Sequence, residues 1–225
     1  PILEGKLADY IMPDVTWSKA QEAWGVGVGL DTESRLWLWR EARADRRLLA
    51  GGQELEIPLP TAHLIKPLQP WADFCVSKDR LIAVAQDGTL WKLNGNARQL
   101  LEDARPRNNE PPKAVAFSMV QMPAKARFNR VRYWVYADQV YLLTPTGELW
   151  GWGNNQFGEL GNGDGDRFTA NSPVKENEIV RLNRHRWVEV MAAPGRGLGI
   201  HADGSLWAWG GSAFGVLGTG NTDSS

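Results

Sequence analysis

The chain has 225 residues, of which 25 are lysine or arginine and 26 are aspartate or glutamate, so its net charge is −1 at pH 7. This balance gives no general attraction to nucleic acid or to an anionic membrane, and no apolar run is long enough for membrane insertion. The length suits one sizeable core, and we expect a single domain over residues 1–225. The single cysteine, Cys75, has apolar neighbours that favour a buried thiol, which slightly favours a cytoplasmic location.

A Leu-Trp dipeptide recurs along the chain at intervals of 54, 59 and 57 residues. A fixed period in this range indicates a repeat architecture. The four tryptophans are Trp37, Trp91, Trp150 and Trp207. Counting back twenty residues without a gap reaches Trp17, Trp71, Arg130 and Trp187. This alignment predicts four repeats, at residues 17–70, 71–129, 130–186 and 187–225.

The residues before each Leu-Trp dipeptide are typical of a β-hairpin. In the fourth repeat, Asp203-Gly204 separates two alternating apolar stretches, which predicts a two-residue type I′ turn. Gly88 and Gly147 hold the same place in the second and third repeats, and Ser34 holds it in the first. Short strands with tight turns predict an all-β fold. Its period indicates a β-propeller of about four repeats of 54–59 residues, each forming one four-stranded sheet.

Two glycine-rich segments follow the Leu-Trp strands of the third and fourth repeats. Residues 147–163 with Ser172-Pro173-Val174, and residues 203–220, resemble the repeat of the regulator of chromosome condensation family. The chain is thereby identified as a divergent, bacterial-like member of that family or a fragment of one. Family members usually form seven-bladed propellers, so four repeats imply either a small closed ring or part of a larger propeller. Residues 1–16 are expected to supply an outer strand. An incomplete ring would expose apolar sheet faces and favour self-association.

The sequence indicates no catalytic or metal site. His63, His185 and His201 fall at different places in the repeat, which argues against a shared metal or a catalytic triad. We expect Glu148 and Glu159 to face solvent. No cofactor motif is present, so the chain is predicted not to be an enzyme.

Cationic residues are the main feature outside the repeat pattern. Arg127, Arg130 and Arg132 lie in a segment without acidic residues, and Arg184 and Arg186 precede the fourth repeat. In the gap-free alignment Arg127 and Arg184 occupy one repeat position and would share one face of a propeller. Such a ridge suits an acidic protein, a phosphate or a glycan acid. The alternative is that these arginines belong to solvated connectors balanced by nearby acidic residues.

The resemblance implies a rigid propeller that presents variable loops for protein binding. Some family members are nucleotide exchange factors for small GTPases, but no motif carries that activity over to this chain. We predict a non-catalytic protein–protein interaction module with a regulatory role, whose protein partner the sequence does not identify. Its expected contact segments are residues 41–56, 102–127 and 164–186. The alternatives are a glycan-binding propeller, with Trp24 and Trp134 as stacking candidates, an axial-channel lyase or hydrolase, and, more remotely, a light sensor.

Overall fold

The chain folds into four antiparallel β-sheets. The structure is a computed structural model that describes residues 14–40, 62–77, 80–104, 115–134, 139–155, 157–162, 174–176, 178–211 and 217–218. The strands of the first two sheets are β1 (Trp17–Ala23), β2 (Val26–Asp31), β3 (Leu36–Arg40), β4 (His63–Leu64), β5 (Trp71–Ser77), β6 (Arg80–Ala85), β7 (Leu90–Leu93) and β8 (Met119–Gln121). Those of the last two are β9 (Arg130–Trp134), β10 (Gln139–Leu143), β11 (Leu149–Trp152), β12 (Val180–Arg181), β13 (Trp187–Ala193), β14 (Arg196–His201) and β15 (Leu206–Gly210).

Each sheet is a meander, because strands that follow one another in the chain are neighbours in the sheet. The first three sheets have four strands each, and the fourth has three. The predicted all-β fold with one small sheet per repeat is therefore confirmed. Of the segment predicted to supply an outer strand, residues 1–13 lie outside the described residues and residues 14–16 are not in a strand.

The chain divides into two compact units. The first comprises Pro1–Trp71, Val76–Leu81 and Leu93–Val120, and the second comprises Ala72–Cys75, Ile82–Lys92 and Gln121–Ser225. The first unit contains the short helix α1 (Ala97–Asp103), whose first turn is capped by the Asn96 side chain accepting from the Gln99 N–H. No helix in the described part of the chain is long and apolar enough to cross a membrane.

The turns that precede the Leu-Trp strands have three residues instead of the predicted two. In the second repeat, the Gly88 N–H donates to the Ala85 carbonyl at 2.9 Å and the Ala85 N–H donates to the Thr89 carbonyl at 3.0 Å. This is a type I turn followed by a bulge, which needs positive φ only at its last residue. The residues that supply it are Gly88, Gly147 and Gly204, with φ of 82°, 80° and 87°, and Ser34, with φ of 62°. The prediction of a type I′ turn was therefore wrong.

The gap-free alignment is two residues out of register in the third repeat. Trp187 N–H donates to the carbonyl of Gly147, and the equivalent donor to Gly88 is the N–H of Phe128. Phe128 therefore holds the aromatic position that the alignment gave to Arg130. The shift arises because four residues separate β9 from β10, whereas two separate β13 from β14.

Two apolar clusters form the core of the second compact unit. In one, Ile82, Val84 and Leu90 from the second sheet meet residues of the third sheet such as Val140 and Leu142. In the other, the opposite face of the third sheet packs on the fourth, with Tyr141, Leu143 and Leu149 against Trp187 and Val190, and Leu160 from the loop after β11 joins this cluster. Cys75 is buried in the first cluster, as predicted.

A buried polar network adjoins the second cluster. The carbonyl of Glu159 accepts hydrogen bonds from the Tyr141 hydroxyl, from Gln139 Nε2 at 2.8 Å and from Trp209 Nε1 at 2.9 Å. Burial raises the pKa of Tyr141. Glu159 itself is buried, and its carboxylate accepts from the Phe157 N–H at 2.7 Å. The prediction that Glu159 faces solvent was wrong, because this carboxylate binds backbone within its own loop.

Candidate interaction surface

Two of the predicted arginines, both on β9, form ion pairs inside the second compact unit. Arg132 contacts the Asp73 carboxylate at 2.9 Å and the Glu189 carboxylate at 2.9 Å, and Arg130 also pairs with Glu189. Burial lowers the pKa of Arg132, but the charges of Asp73 and Glu189, together with the hydrogen bond to Asp73, leave this pKa raised. Asp73 is on β5 and Glu189 on β13, so this ion-pair chain connects the first strands of three sheets.

The carboxylate of Asp73 accepts hydrogen bonds from backbone groups as well as from Arg132. Asp73 is buried, and its carboxylate accepts from the backbone N–H groups of Val131 at 3.0 Å and Phe74 at 2.9 Å. A buried carboxylate with several donors holds its neighbours in place. The arrangement gives Arg132 a structural role, whatever else it contacts.

Arg186 and Arg181 share the carboxylate of Glu148. The distances are 3.0 Å for Arg186 and 3.3 Å for Arg181. The hydrogen bond from Arg186 is the main reason that the pKa of Glu148 is lowered. Arg186 nevertheless keeps about half of its side chain exposed, at 48%.

Arg127 and Arg184 are exposed, and neither forms an ion pair with another residue in the part of the chain that the structure describes. Arg127 and Lys125 both line a shallow depression of about 700 Å³, which is formed by residues 121–127. Arg127 also lies against the hairpin turn at Gly88 and Asp87. The pKa of Asp87 is lowered mainly by hydrogen bonds from Thr89, with a smaller contribution from Arg127.

The corrected register changes which cations are equivalent. Arg127 precedes Phe128 by one residue, as Arg186 precedes Trp187, so these two share a repeat position. Lys125 and Arg184 each precede the same aromatic residue by three positions. The expected equivalence of Arg127 with Arg184 therefore does not hold. We call Lys125, Arg127, Arg184 and Arg186 the cationic surface.

A smaller groove of about 320 Å³ lies between the turn before β11 and the start of β13. Arg130 and Arg186 both line it, together with Thr146, Gly147 and Trp187. The two arginines keep their ion pairs with Glu189 and Glu148 there. The two arginines of this groove are therefore already paired with carboxylates, in contrast to Arg127 at the larger depression.

The structure brings together two histidines that the sequence had placed apart. The rings of His185 and His201 are 5.6 Å apart, and Trp207 lies 5.3 Å from His185 and 6.1 Å from His201. Strand pairing explains this, because Trp187 on β13 is opposite His201 on β14. Among the described residues, no group of three or more His, Cys, Asp or Glu side chains could hold a metal.

The remaining histidine, His63, stacks on Phe117 with ring centroids 4.4 Å apart, and burial lowers its pKa. Both residues lie in the first compact unit, away from any acidic partner in the described contacts. This stacking gives His63 a packing role.

The Leu-Trp tryptophans anchor the hairpin turns through their indole N–H groups. Trp91 donates to the Thr89 hydroxyl and Trp207 to the Ser205 hydroxyl, both at 2.8 Å. In the other two repeats the acceptors are carboxylates, Asp31 for Trp37 at 2.8 Å and Glu148 for Trp150 at 3.4 Å. The tryptophan excess thus serves the architecture.

The other sequence candidates are only partly described. Trp24 is 53% exposed, at the turn between β1 and β2, and Trp134 ends β9. Residues 41–56 lie outside the described residues, as do parts of the segments 102–127 and 164–186.

Four small antiparallel sheets, one per repeat, define a β-propeller-type repeat protein. Residues 146–193 match the regulator of chromosome condensation (RCC1) repeat, which confirms the resemblance in the sequence. Over 82 residues the chain is 38% identical to protein RCC2 of Mus musculus, and over 83 residues it is 30% identical to the E3 ubiquitin-protein ligase HERC2 of Homo sapiens. These matches cover 36% of this chain but only 14% and 2% of the two relatives.

Solved structures extend the similarity over most of the chain. Prp20p from Saccharomyces cerevisiae, described with its binding to Gsp1p and histones, aligns with a TM-score of 0.56 and 16% identity over 92% of this chain and 47% of its own. Human WBSCR16 aligns with a TM-score of 0.54 and 12% identity over 86% of this chain and 47% of its own. At these identities the likeness supports the fold alone. The chain spans less than half of either structure.

Proposed function

We propose that this chain is a non-catalytic protein-interaction module that binds an acidic protein surface through its cationic surface. The observation that carries the proposal is that the arginines of the chain differ in whether a carboxylate already holds them. Arg130 and Arg132 are held by Asp73 and Glu189. Arg127 and Arg184, in contrast, are exposed and form no ion pair with a described residue.

Repeat geometry supports a shared face. Arg127 and Arg186 hold one position of the repeat, and Lys125 and Arg184 hold another, on consecutive sheets. Exposed cations at equivalent positions of neighbouring repeats attract a partner of the opposite charge and set its orientation. Yeast RCC1, which shares the fold, has been solved bound to the protein Kap60, so a propeller of this type can serve as a protein-binding scaffold.

The test is affinity capture with the double variant Arg127→Glu/Arg184→Glu, followed by mass spectrometry of bound proteins and small molecules. A matched control is Arg98→Glu/Lys66→Glu, which makes the same change in net charge at exposed positions of the first compact unit. We expect a protein partner that binds wild type and the control, is lost with the double variant, and binds more weakly as salt is raised.

Equal capture by the double variant would remove the cationic surface from the proposal. Recovery of a sugar or metabolite without a protein would favour the glycan-binding or enzymatic alternatives.

A further inference from the structure

Two kinds of dipeptide in this chain, Asn-Gly and Asp-Gly, are able to cyclise without an enzyme. In both, the backbone nitrogen of the glycine attacks the side-chain carbonyl carbon of the preceding residue, and glycine has no Cβ to hinder the approach. Three such dipeptides lie wholly within the described residues: Asn94-Gly95, Asp87-Gly88 and Asp203-Gly204. The reaction needs a glycine nitrogen that loses its proton and a side chain that turns toward it, so the local hydrogen bonds decide which dipeptide reacts.

The glycine nitrogens of the two Asp-Gly dipeptides are held in tight turns. The N–H groups of Gly88 and Gly204 donate to the carbonyls of Ala85 and His201, both at 2.9 Å. Such a nitrogen resists deprotonation, because the hydrogen bond is lost together with the proton.

The carboxylates of these two dipeptides are held as well. Asp87 accepts from the Thr89 N–H and Asp203 from the Ser205 N–H, both at 2.8 Å. Hydrogen bonds from the Thr89 hydroxyl and N–H lower the pKa of Asp87, and those from Ser205 lower the pKa of Asp203 to about 2. Aspartate cyclises in its neutral form, which is scarce at neutral pH when the pKa is lowered. The fold therefore protects both aspartates.

Asn94-Gly95 lacks this protection. Asn94 is exposed and lies between β7 and Asn96, the residue that caps α1. Among the described residues, neither the side-chain amide of Asn94 nor the N–H of Gly95 has a hydrogen-bond partner. Asn96, in contrast, accepts from the Gln99 N–H at 2.9 Å and precedes Ala97 instead of a glycine.

We infer that Asn94 is a site of spontaneous deamidation. The deprotonated nitrogen of Gly95 attacks Cγ of Asn94 and forms a Cγ–N bond. The Cγ–Nδ2 bond then breaks, and the amide nitrogen takes up a proton and leaves as ammonia. Water opens the resulting succinimide ring. Its attack on Cγ gives aspartate, whereas its attack on the main-chain carbonyl carbon of residue 94 gives isoaspartate, which is linked to Gly95 through the side chain.

The products alter the connection that leads into α1. Both add one negative charge, and isoaspartate also adds a methylene to the backbone. The Asn94 N–H donates to the Ser118 carbonyl at 2.8 Å, so the added methylene falls between this bond and the Asn96 cap. Glu102 on α1 pairs with Arg40 on β3 at 2.6 Å. Formation of isoaspartate therefore changes how α1 is held against the first sheet.

Incubation of the folded chain in ¹⁸O-labelled water at mildly alkaline pH, followed by peptide mapping with mass spectrometry, tests the site. The water that opens the ring leaves its oxygen in the product, so the label marks cyclisation. We expect label at residue 94, with isoaspartate among the products. Its level should exceed that at residues 87 and 203 by at least about tenfold, a rate factor that one retained hydrogen bond is able to impose.

Two controls accompany this measurement. Asn94→Gln keeps an exposed amide but requires a six-membered ring, and we expect it to abolish the label at residue 94. The same chain incubated in urea loses the turn hydrogen bonds, so residues 87 and 203 should gain label there.

A folded chain in which residue 94 gains no label, or gains it only in urea, would overturn the inference. Labelling of residues 87 and 203 to the level of residue 94 in the folded chain would also overturn it, because the hydrogen bonds would then not decide the reaction. None of these outcomes depends on the cationic surface, so the proposed function is tested separately.

Discussion

Phe128 packs edge to face on Trp150, with ring centroids 6.3 Å apart and an interplanar angle of 68°. The same contact joins Trp17 with Trp37 at 6.5 Å and Trp187 with Trp207 at 6.3 Å. An aromatic residue at the start of each of these repeats thus supports the tryptophan of the Leu-Trp strand. Such pairs contribute about 0.5–1.5 kcal/mol beyond the burial of their area.

Substitution at the start of the third repeat tests this register. Phe128→Ala should lower the free energy of unfolding by about 3–5 kcal/mol, because Phe128 is fully buried in the core. Arg130→Ala should cost at most about 1 kcal/mol, because the side chains of Arg130 and Glu189 remain 42% and 36% exposed to solvent. Urea denaturation of the two variants makes the comparison. A larger loss for Arg130→Ala would restore the gap-free alignment.

Removal of Asp73 tests the ion-pair chain between the first strands. Asp73→Ala should lower the free energy of unfolding by about 2–4 kcal/mol, because it leaves the N–H of Val131 and a contact of Arg132 without their acceptor. The control is Glu176→Ala, which breaks an exposed pair with Lys92 and should cost less than about 1 kcal/mol. Similar losses in the two variants, measured by urea denaturation, would show that the chain adds no more than a surface pair.

Substitutions at two turn glycines with similar φ distinguish the energetic cost of backbone strain from that of a steric clash. A Cβ at Gly147 would lie 2.7 Å from the carbonyl oxygen of Trp187, whereas one at Gly204 would meet nothing within 4 Å. Gly204→Ala should cost about 1–2 kcal/mol through its positive φ alone. Gly147→Ala should cost at least about 1 kcal/mol more, because the backbone of the fourth repeat must move. Thermal unfolding of both variants measures the difference, and equal melting temperatures would contradict it.

The turn of the fourth repeat predicts a specific titration. Hydrogen bonds from the Ser205 hydroxyl and N–H, followed by His201, lower the pKa of Asp203 from 3.8 to about 2. Ser205→Ala should raise this pKa toward its ordinary value, while Ser205→Thr should preserve it, since Thr89 makes the same bonds to Asp87 in the second repeat. Carboxyl-carbon NMR follows the titration.

The sign of the pH dependence follows from the lowered pKa. The ionised form of Asp203 is the one that the fold favours, so its contribution to stability is present above pH 3.8 and is lost as the pH falls through about 2. Ser205→Ala should reduce that dependence within this acidic window. An unchanged Asp203 titration in Ser205→Ala would show that the hydroxyl is not the cause.

The repeat pattern was sufficient to predict the sheets, because Leu-Trp and the turn glycine recur at fixed places. The register of the third repeat was missed because the gap-free count ignored loop length. A signal was present, since the interval from Trp91 to Trp150 is two residues longer than that from Trp150 to Trp207. Phe128 was therefore recoverable from the sequence by allowing one gap.

The candidate site was harder to predict, because it depends on contacts between repeats. Arg132 meets Asp73 across 59 residues and Glu189 across 57, close to one period in each direction. Pairing of His201 with Trp187 also depends on the bulge near the start of β13, which periodicity does not reveal. Opposite charges at nearby positions of consecutive repeats were the available signal for the ion pairs.

The longer connection between β9 and β10 has a consequence for the engineering of these repeats. The gap-free alignment puts Arg130 in the same column as the tryptophans that begin the other repeats. The fold keeps an aromatic residue at this position, which is Phe128 in the third repeat. A designed array that copied the third repeat in that register would place a guanidinium in each inter-sheet core. Repeats averaged after a gap between β9 and β10 would carry an aromatic residue at that position instead, and only those repeats are expected to stack.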